Sequence, residues 1–222
     1  ALDNGKTFYF PSNNNDKRGL FWDSMFVNLK SYTIDPAVLN NYKKTDISEL
    51  GFHYTPLEHI EGNCNISGYF QTEKYFKHIR DQLLIDFQFH DNITETAKQV
   101  VSEWNRPVSL HIRRTDYITN SNHTVLPMEY YEKSLNMFDD DREVIIFSDD
   151  PEWCMNHDLF SDDRFMVSQS ENNALDLCLM TLCSDHIIAN SSFSWWGAWL
   201  SNGEKVIAPS GWFKGSSNEH LD

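Results

Sequence analysis

The chain is predicted to be an α/β protein whose C-terminal part forms a parallel, doubly wound sheet. Three observations lead there. Beyond residue 105, short apolar runs of strand length alternate with segments of helical periodicity, the pattern of repeated βαβ units. Polar clusters directly follow three of those runs, as loops at the carboxyl ends of parallel strands do. The 222 residues, 40% of them hydrophobic and 23% charged, can bury a sizeable core in one large or two small domains.

Taken in order, the first sixty residues carry the weakest pattern. Pro11-Ser12-Asn13-Asn14-Asn15-Asp16 reads as a polar loop, and residues 20–32 as a short helix or an irregular strand. Residues 64–70 read as a strand. Thr72-Glu73-Lys74 opens a helix with Tyr75, Phe76, Ile79, Leu83 and Leu84 near one face. Phe87-Gln88-Phe89 is an extended connector, and the domain boundary falls near it, separating residues 1–90 from 91–222. Asn92 and Glu95 have capping-box spacing for a helix that runs to about Trp104 and stops before Pro107.

The regular part follows. Strands are expected at 108–112, 144–147, 165–168, 186–189 and 205–208. Between them come a helix at 126–137 with Pro127 in its first turn, a short helix after Pro151, an apolar and therefore buried helix at 173–184, and a helix at 193–200.

Charge excludes some partners. A net charge of −15 argues against nucleic acid and against an anionic membrane surface. Residues 1–95 contribute −4 and residues 96–222 contribute −11, so the adjacent Arg113 and Arg114 lie in the more acidic part. That contrast favours a local, dedicated anion site. The aromatic share of 14% leans weakly towards a sugar- or base-stacking groove, since aromatics more often fill cores. Cys64, Cys154, Cys178 and Cys183 lack paired metal-ligand or disulfide spacing and read as reduced thiols of a cytoplasmic protein. No apolar run approaches the roughly 20 residues needed to cross a bilayer.

Three expected strand ends carry the chemistry. His111-Ile112-Arg113-Arg114-Thr115-Asp116 places two guanidinium groups where a parallel sheet binds ligands, and arginine grips phosphate with two parallel bonds. A diphosphate clamp and a salt-bridged pair on an edge loop are comparable readings from spacing alone. Ser148-Asp149-Asp150 follows the second strand, and Asn190-Ser191-Ser192-Phe193-Ser194 leads into a helix. There a Ser192 or Ser194 hydroxyl, the free N–H groups and the helix dipole would suit an anion or simply cap the helix. Asn190 itself heads towards the core. Asp176, near the start of the buried helix, needs a partner. Guanine, with two adjacent donors, would supply one; a helix-start carboxylate favoured by the dipole is the alternative. His111 faces either the core or the ligand.

These residues carry a family resemblance. His111-Ile112-Arg113-Arg114-Thr115-Asp116 resembles the H-x-R-R-x-D motif of α1,2-fucosyltransferases, glycosyltransferase family 11. Phe147-Ser148-Asp149-Asp150 is similar to that family's second motif. Asp176-Leu177-Cys178-Leu179-Met180, continued by Ile188-Ala189-Asn190-Ser191-Ser192-Phe193-Ser194-Trp195-Trp196-Gly197-Ala198-Trp199, is similar to the third. Gly68-Tyr69-Phe70-Gln71-Thr72-Glu73-Lys74-Tyr75-Phe76 resembles the segment before the donor domain, and the likeness runs from about residue 62 to Phe213.

The resemblance implies a GT-B fold of two Rossmann-like domains, with GDP-fucose on the C-terminal one and acceptor recognition on the N-terminal one. It implies inverting transfer of fucose to a galactose-containing, free or lipid-linked glycan through an α1,2 link, without a metal or other cofactor. Arg113, Arg114 and Asp116 would be catalytic. His111, Asp149, Asp176, Asn190, Ser191, Ser192, Phe193 and Ser194 would hold the donor with the arginines. Asp149 and Asp150 are adjacent rather than spaced as a metal-binding D-x-D pair. The arginines would take the metal's place, stabilising charge that grows on the β-phosphate. The family's Gly-Gly-Leu-Gly-Asn-Gln loop has no counterpart, so the N-terminal domain is expected to be incomplete. A bacterial source would place the enzyme in the cytoplasm or peripherally at the inner face of the membrane. Two other readings stay open: a protein O-fucosyltransferase-like enzyme, which would be expected to lack the Ser-Phe-Ser-Trp-Trp-Gly run, and a module that binds nucleotide or glycan without turnover.

Overall fold

A computed structural model describes residues 6–12, 21–57 and 61–214. Residues 13–16 of the expected polar loop lie outside them, as does Leu20. The chain divides into two compact units, one up to His90 and one from Asp91 onwards.

The first unit is built from short pieces. Strand β1 (Phe10–Pro11) pairs in parallel with β2 (Thr33–Ile34), and the residues before β2 form a 3-10 turn at Val27–Tyr32. Helix α1 (Pro36–Leu39) begins at a proline whose fixed φ suits a first helical residue. The Asp35 carboxylate accepts the Ala37 N–H at 2.8 Å to cap it. Strands β3 (Thr45–Ser48) and β4 (Cys64–Ser67) pair in parallel, Thr45 opposite Cys64 and Ser48 opposite Ser67. Strand β4 ends before the expected Phe70, because Phe70 turns the chain with φ of +46°. The expected helix from Thr72 is broken. Two 3-10 turns, Glu73–Tyr75 and Lys77–Ile79, precede helix α2 (Arg80–Asp86), because Phe76 between them leaves helical geometry, with φ of −144° and ψ of −5°.

The second unit opens with α3 (Asp91–Ser102). Asn92 lies inside this helix, one residue past its first, whereas the capping-box spacing placed it before the start. Strand β5 (Val108–Ile112) follows, then the unexpected one-turn helix α4 (Thr115–Thr119) and α5 (Met128–Leu135). The remainder alternates: β6 (Val144–Ser148), α6 (Pro151–Met155), β7 (Phe165–Val167), α7 (Asn173–Leu182), β8 (Asp185–Ile187), α8 (Ser192–Leu200) and β9 (Lys205–Ile207). All five strands are parallel, in the order β7-β6-β5-β8-β9. The expected doubly wound parallel sheet is therefore present, with β5 at its centre.

Period-two alternation sorts β5 between two layers. Val108, Leu110 and Ile112 join Val144, Ile146 and Ile187 in a core against Tyr131 and Leu135 of α5 and Cys154 of α6. Ser109 and His111 face the other way. His186 bridges Ser109 and Ser201 at 2.7 Å on each side, and His111 lies 2.9 Å from Ser194 of α8. Helix α7 packs between α3 and α8 in that layer, which is why it is apolar nearly all round. Gly197 of α8 lets the two helices approach, since a Cβ there would sit 2.8 Å from the Cβ of Met180. Burial holds His186 down at about 4, so it bridges as a neutral ring.

At the opposite, amino-terminal end of the sheet, Arg142 ties three segments together. Its Nη2 donates to Asp185 Oδ2 at 2.6 Å, to the Arg106 carbonyl at 2.7 Å and to Ser184 Oγ at 3.0 Å. All four cysteines are free thiols, with Cys154, Cys178 and Cys183 buried.

Candidate active site

The carboxyl ends of β6, β5 and β8 are neighbours, and their loops meet. Asp149, just past β6, organises the arginine loop. Its carboxylate accepts the backbone N–H of Arg114 at 2.8 Å and of Thr115 at 3.1 Å, and also the Thr115 hydroxyl. Those are orphan donors at the start of α4, so a carboxylate from the adjacent strand caps this helix. Arg113 Nη1 lies 3.3 Å from the same carboxylate, and its Nη2 lies 2.7 Å from Asp116.

Arg114 is held differently. Its Nε lies 3.2 Å from Asp150 Oδ2, and its guanidinium carbon sits 3.7 Å from the Trp153 ring centroid, a close cation–π contact. Asp150 also accepts the Trp153 N–H at 3.3 Å, capping α6. Arg114 is thus sandwiched and 20% exposed in its side chain, whereas Arg113 is 32% exposed and paired with an Asp116 that is itself 56% exposed. Both arginines are ion-paired, and the greater exposure of Arg113 and of its Asp116 partner leaves Arg113 the more able to change partner.

Tyr117, one turn beyond Arg113, joins the third segment by donating its hydroxyl to the Asn190 carbonyl at 3.0 Å. Asn190 is 1% exposed. Its amide donates to the Thr124 and Trp212 carbonyls, both at 3.0 Å, while Oδ1 has no partner among the described residues. Its side chain ties loops together. Ser191 caps α8, its hydroxyl accepting the Phe193 N–H at 3.4 Å. That corrects the assignment of the cap to Ser192 or Ser194: Ser192 is exposed, and Ser194 is buried inside the helix.

Ser194 instead orients His111. Its Oγ accepts the Ala189 N–H at 3.2 Å and has the Ser191 carbonyl 3.3 Å away for its own proton. A remaining lone pair suits a proton on His111 Nδ1, which leaves Nε2 as an acceptor. Burial, reinforced by Arg113 and partly opposed by Asp149, lowers His111 to about 4, so the ring is neutral. Phe193 packs against it at 5.7 Å.

Asp176 stands apart. It is 9% exposed in the first turn of α7, but Asn172 caps that helix, so Asp176 is not the capping group. Ser168, just past β7, donates its hydroxyl to Asp176 Oδ1 at 2.6 Å. Burial pushes the carboxyl up to about 6, moderated by that hydrogen bond. β7 is two strands from β5, about 10 Å at the usual spacing. Residue-type reasoning brought His111, Arg113, Arg114, Asp116, Asp149 and the 190–194 segment to one edge, and they do meet there. It missed Trp153 and Tyr117, whose only sequence signal is an aromatic three or four positions beyond a charged strand end.

The model of the family described as Glycosyl transferase family 11 matches residues 28–217. The chain is 39% identical to the O-antigen biosynthesis glycosyltransferase WbnK of Escherichia coli over 72% of its own length and 58% of that protein. It is 36% identical to an alpha-1,2-colitosyltransferase of Escherichia coli, over 70% and 58% of the two chains. Against galactoside alpha-(1,2)-fucosyltransferase 2 of Oryctolagus cuniculus the identity is 24%, over 93% and 62%. The chain spans about six-tenths of the length of these curated relatives. The family match takes in all three strand-end segments together with Asp176, and on that ground the chain belongs to glycosyl transferase family 11.

Proposed function

We propose that this chain supplies the donor-binding part, and some of the acceptor side, of a GT-B enzyme that moves fucose from GDP-fucose to a galactose-containing glycan. Transfer inverts the anomeric carbon and forms an α1,2 link. The carrying observation is the pair Arg113 and Arg114 at the carboxyl end of the central strand, beside the start of α8. The family membership and the relatives' names point the same way.

The chemistry follows from charge. As the bond between the fucose anomeric carbon and the β-phosphate oxygen breaks, negative charge collects on the departing diphosphate. Arg113 exchanges Asp116 for that phosphate, and Arg114, fixed by Asp150 and Trp153, holds a second positive charge alongside. Fixed cations stabilise the transition state without reorganising. Asp116 takes part as the carboxylate that holds Arg113 until the phosphate arrives. Asp149 keeps the loop in shape. The α8 start at Ser191 and Ser192 adds N–H groups and dipole to the phosphate site. Neutral His111 offers Nε2 as an acceptor, with Phe193 beside it, while Asp176 accepts both guanine donors. The roughly 10 Å between the β7 and β5 ends suits a nucleoside diphosphate lying across the sheet edge. Asn190 shapes the wall through its loop contacts.

No metal enters this reading. Among the described residues no helix is long and apolar enough to cross a membrane. The reading adds a cytoplasmic enzyme, peripheral at the inner membrane face when its acceptor is lipid-linked. The deciding experiment is a GDP-fucose transfer assay on β-galactosides, in chelator and in millimolar magnesium or manganese. Equal α1,2-fucosylated product in both supports the proposal. Dependence on metal, or transfer at another position, refutes it.

A further inference from the structure

Between α4 and α5, residues 120–127 have no regular structure, yet the first part of this loop is bonded on several sides. Asn120 Oδ1 accepts the backbone N–H groups of Asn122 at 2.7 Å and His123 at 3.2 Å. Lys214 pairs with the same stretch: its Nζ donates to the Asn120 carbonyl at 2.7 Å, and its backbone N–H to the Asn122 carbonyl at 2.9 Å. The Asn190 amide holds the Thr124 carbonyl. Surface loops are usually the more mobile parts of a fold, so this much bonding keeps something in place.

What it keeps in place is His123. The imidazole stacks on the Tyr117 ring, with 4.5 Å between centroids and 11° between planes, and Phe213 lies 5.3 Å away. Tyr117 is itself anchored to the Asn190 carbonyl, and the Arg113 guanidinium carbon lies 5.4 Å from the same ring centre. At most about 10 Å therefore separates the imidazole from the guanidinium. Two hydrogen bonds of about 2.8 Å with a phosphate group between them fit that span.

The two ring nitrogens differ. Nδ1 is closed off and has no partner among the described residues, whereas Nε2 is not closed off and bonds to no described group. A proton on Nδ1 would strand a donor in a closed space, and a bare lone pair there costs less. The neutral ring therefore carries its proton on Nε2, at the open side. Burial holds the ring below the usual histidine range; Asp116 opposes this, while Arg113 and Lys214 add to it, so at neutral pH the ring is uncharged. A nitrogen that already bears a proton cannot collect another from a hydroxyl. His123 is thus built to donate, not to act as a base. An oxygen that meets such a donor beside Arg113 and Lys214 is best an anionic one.

We propose that His123 is a further ligand of the nucleoside diphosphate, donating Nε2–H to an oxygen of the β-phosphate that Arg113 grips. This rests on the donor reading given above. Such a bond strengthens as charge collects on the phosphate, and no proton leaves the ring. Two measurements on the full chain test it. In nitrogen NMR of the histidine rings, with His123→Phe identifying the signals, His123 should show a bare Nδ1 and a protonated Nε2 that shifts with GDP and hardly with GMP. A proton on Nδ1, or an Nε2 that ignores GDP, overturns the proposal. Calorimetry then compares His123→Phe, which keeps a ring on Tyr117, with His123→Gln, whose amide can place an N–H near the Nε2 position. GDP affinity should fall about tenfold or more in His123→Phe and stay within about threefold of the parent in His123→Gln, with GMP affinity unchanged in both. Equal GDP binding by the parent and a folded His123→Phe overturns the proposal. So does a loss that GMP shares, which would make His123 a support for Tyr117 and nothing more. Where melting curves show a variant unfolded, the NMR result on the parent decides. A parent that binds no GDP refutes the donor reading and this contact with it, whereas GDP bound without effect at His123 refutes this contact alone.

Discussion

Asp176→Asn separates binding from stability in a single residue. The parent carboxyl, 9% exposed, titrates near 6 against an ordinary 3.8. Between those values the folded state binds more protons than the unfolded chain, so stability falls as pH rises from about 4 to about 6. The shift corresponds to at most about 3 kcal/mol, at 1.36 kcal/mol per unit. Asparagine has nothing to ionise and can still accept the Ser168 hydroxyl at its amide oxygen. At pH 7.5 the variant should therefore be more stable, by about 1–3 kcal/mol or roughly 2–10 °C in melting temperature. At pH 4.5 that advantage should shrink to about a third, and below about pH 3.8 it should disappear. Nucleotide binding should move the opposite way. Guanine N1–H and N2–H need two acceptors, and an amide offers only one. GDP affinity should drop about ten- to a hundredfold while the gap to ADP narrows. In the parent, GDP affinity should rise with pH through about 6, as the carboxyl ionises. His111, held near 4, remains neutral over that range and adds no competing titration. The assays are thermal melts at both pH values and calorimetric titration with GDP and ADP. A variant no more stable than the parent at pH 7.5, or one with an unchanged GDP-to-ADP ratio, refutes the reasoning.

Arg113→Lys should weaken GDP about tenfold to a hundredfold, because an ammonium cannot make two parallel bonds to phosphate; calorimetry checks it, and equal affinity would misassign the clamp. Arg114→Lys should instead lower the melting temperature as well, since it breaks the stack on Trp153 and the bond to Asp150. Gly197→Ala should destabilise by about 1–2 kcal/mol despite alanine's better helix propensity, because a Cβ 2.8 Å from that of Met180 forces α7 and α8 apart. Urea unfolding measures that last effect, and a gain in stability would show that the helix contact is slack.

Much of the second unit was legible because its three central strands, β6, β5 and β8, are buried on both faces and read as apolar runs. Its polar clusters then had nowhere to go but the strand ends. Partnership was less legible. Asp149 caps a helix too short to show periodicity, and Ser191 rather than its neighbours makes the cap of α8, a choice of one residue set by local backbone angles. The first unit was hardest to read because its strands are two to four residues long. Glu49, whose Oε2 accepts the backbone N–H groups of Tyr69 at 2.7 Å and Phe70 at 2.9 Å, gave no signal, because no residue pattern announces the turn at Phe70.

The position of β5 has a consequence for how the molecule is made. Its edge towards β6 can pair once residue 148 has emerged, but its other edge waits for β8, with Ser109 opposite His186, 77 positions further along the chain. Such distant pairing is slow, because the loop-closure entropy is lost before the contacts form. During synthesis the β-prone run Val108–Ile112 therefore keeps a bare edge through the translation of four further helices and two strands. An open apolar edge is a template for other chains. Yield from a fast-translating host should accordingly respond to chaperone supply and growth temperature more than to any change at the arginine loop.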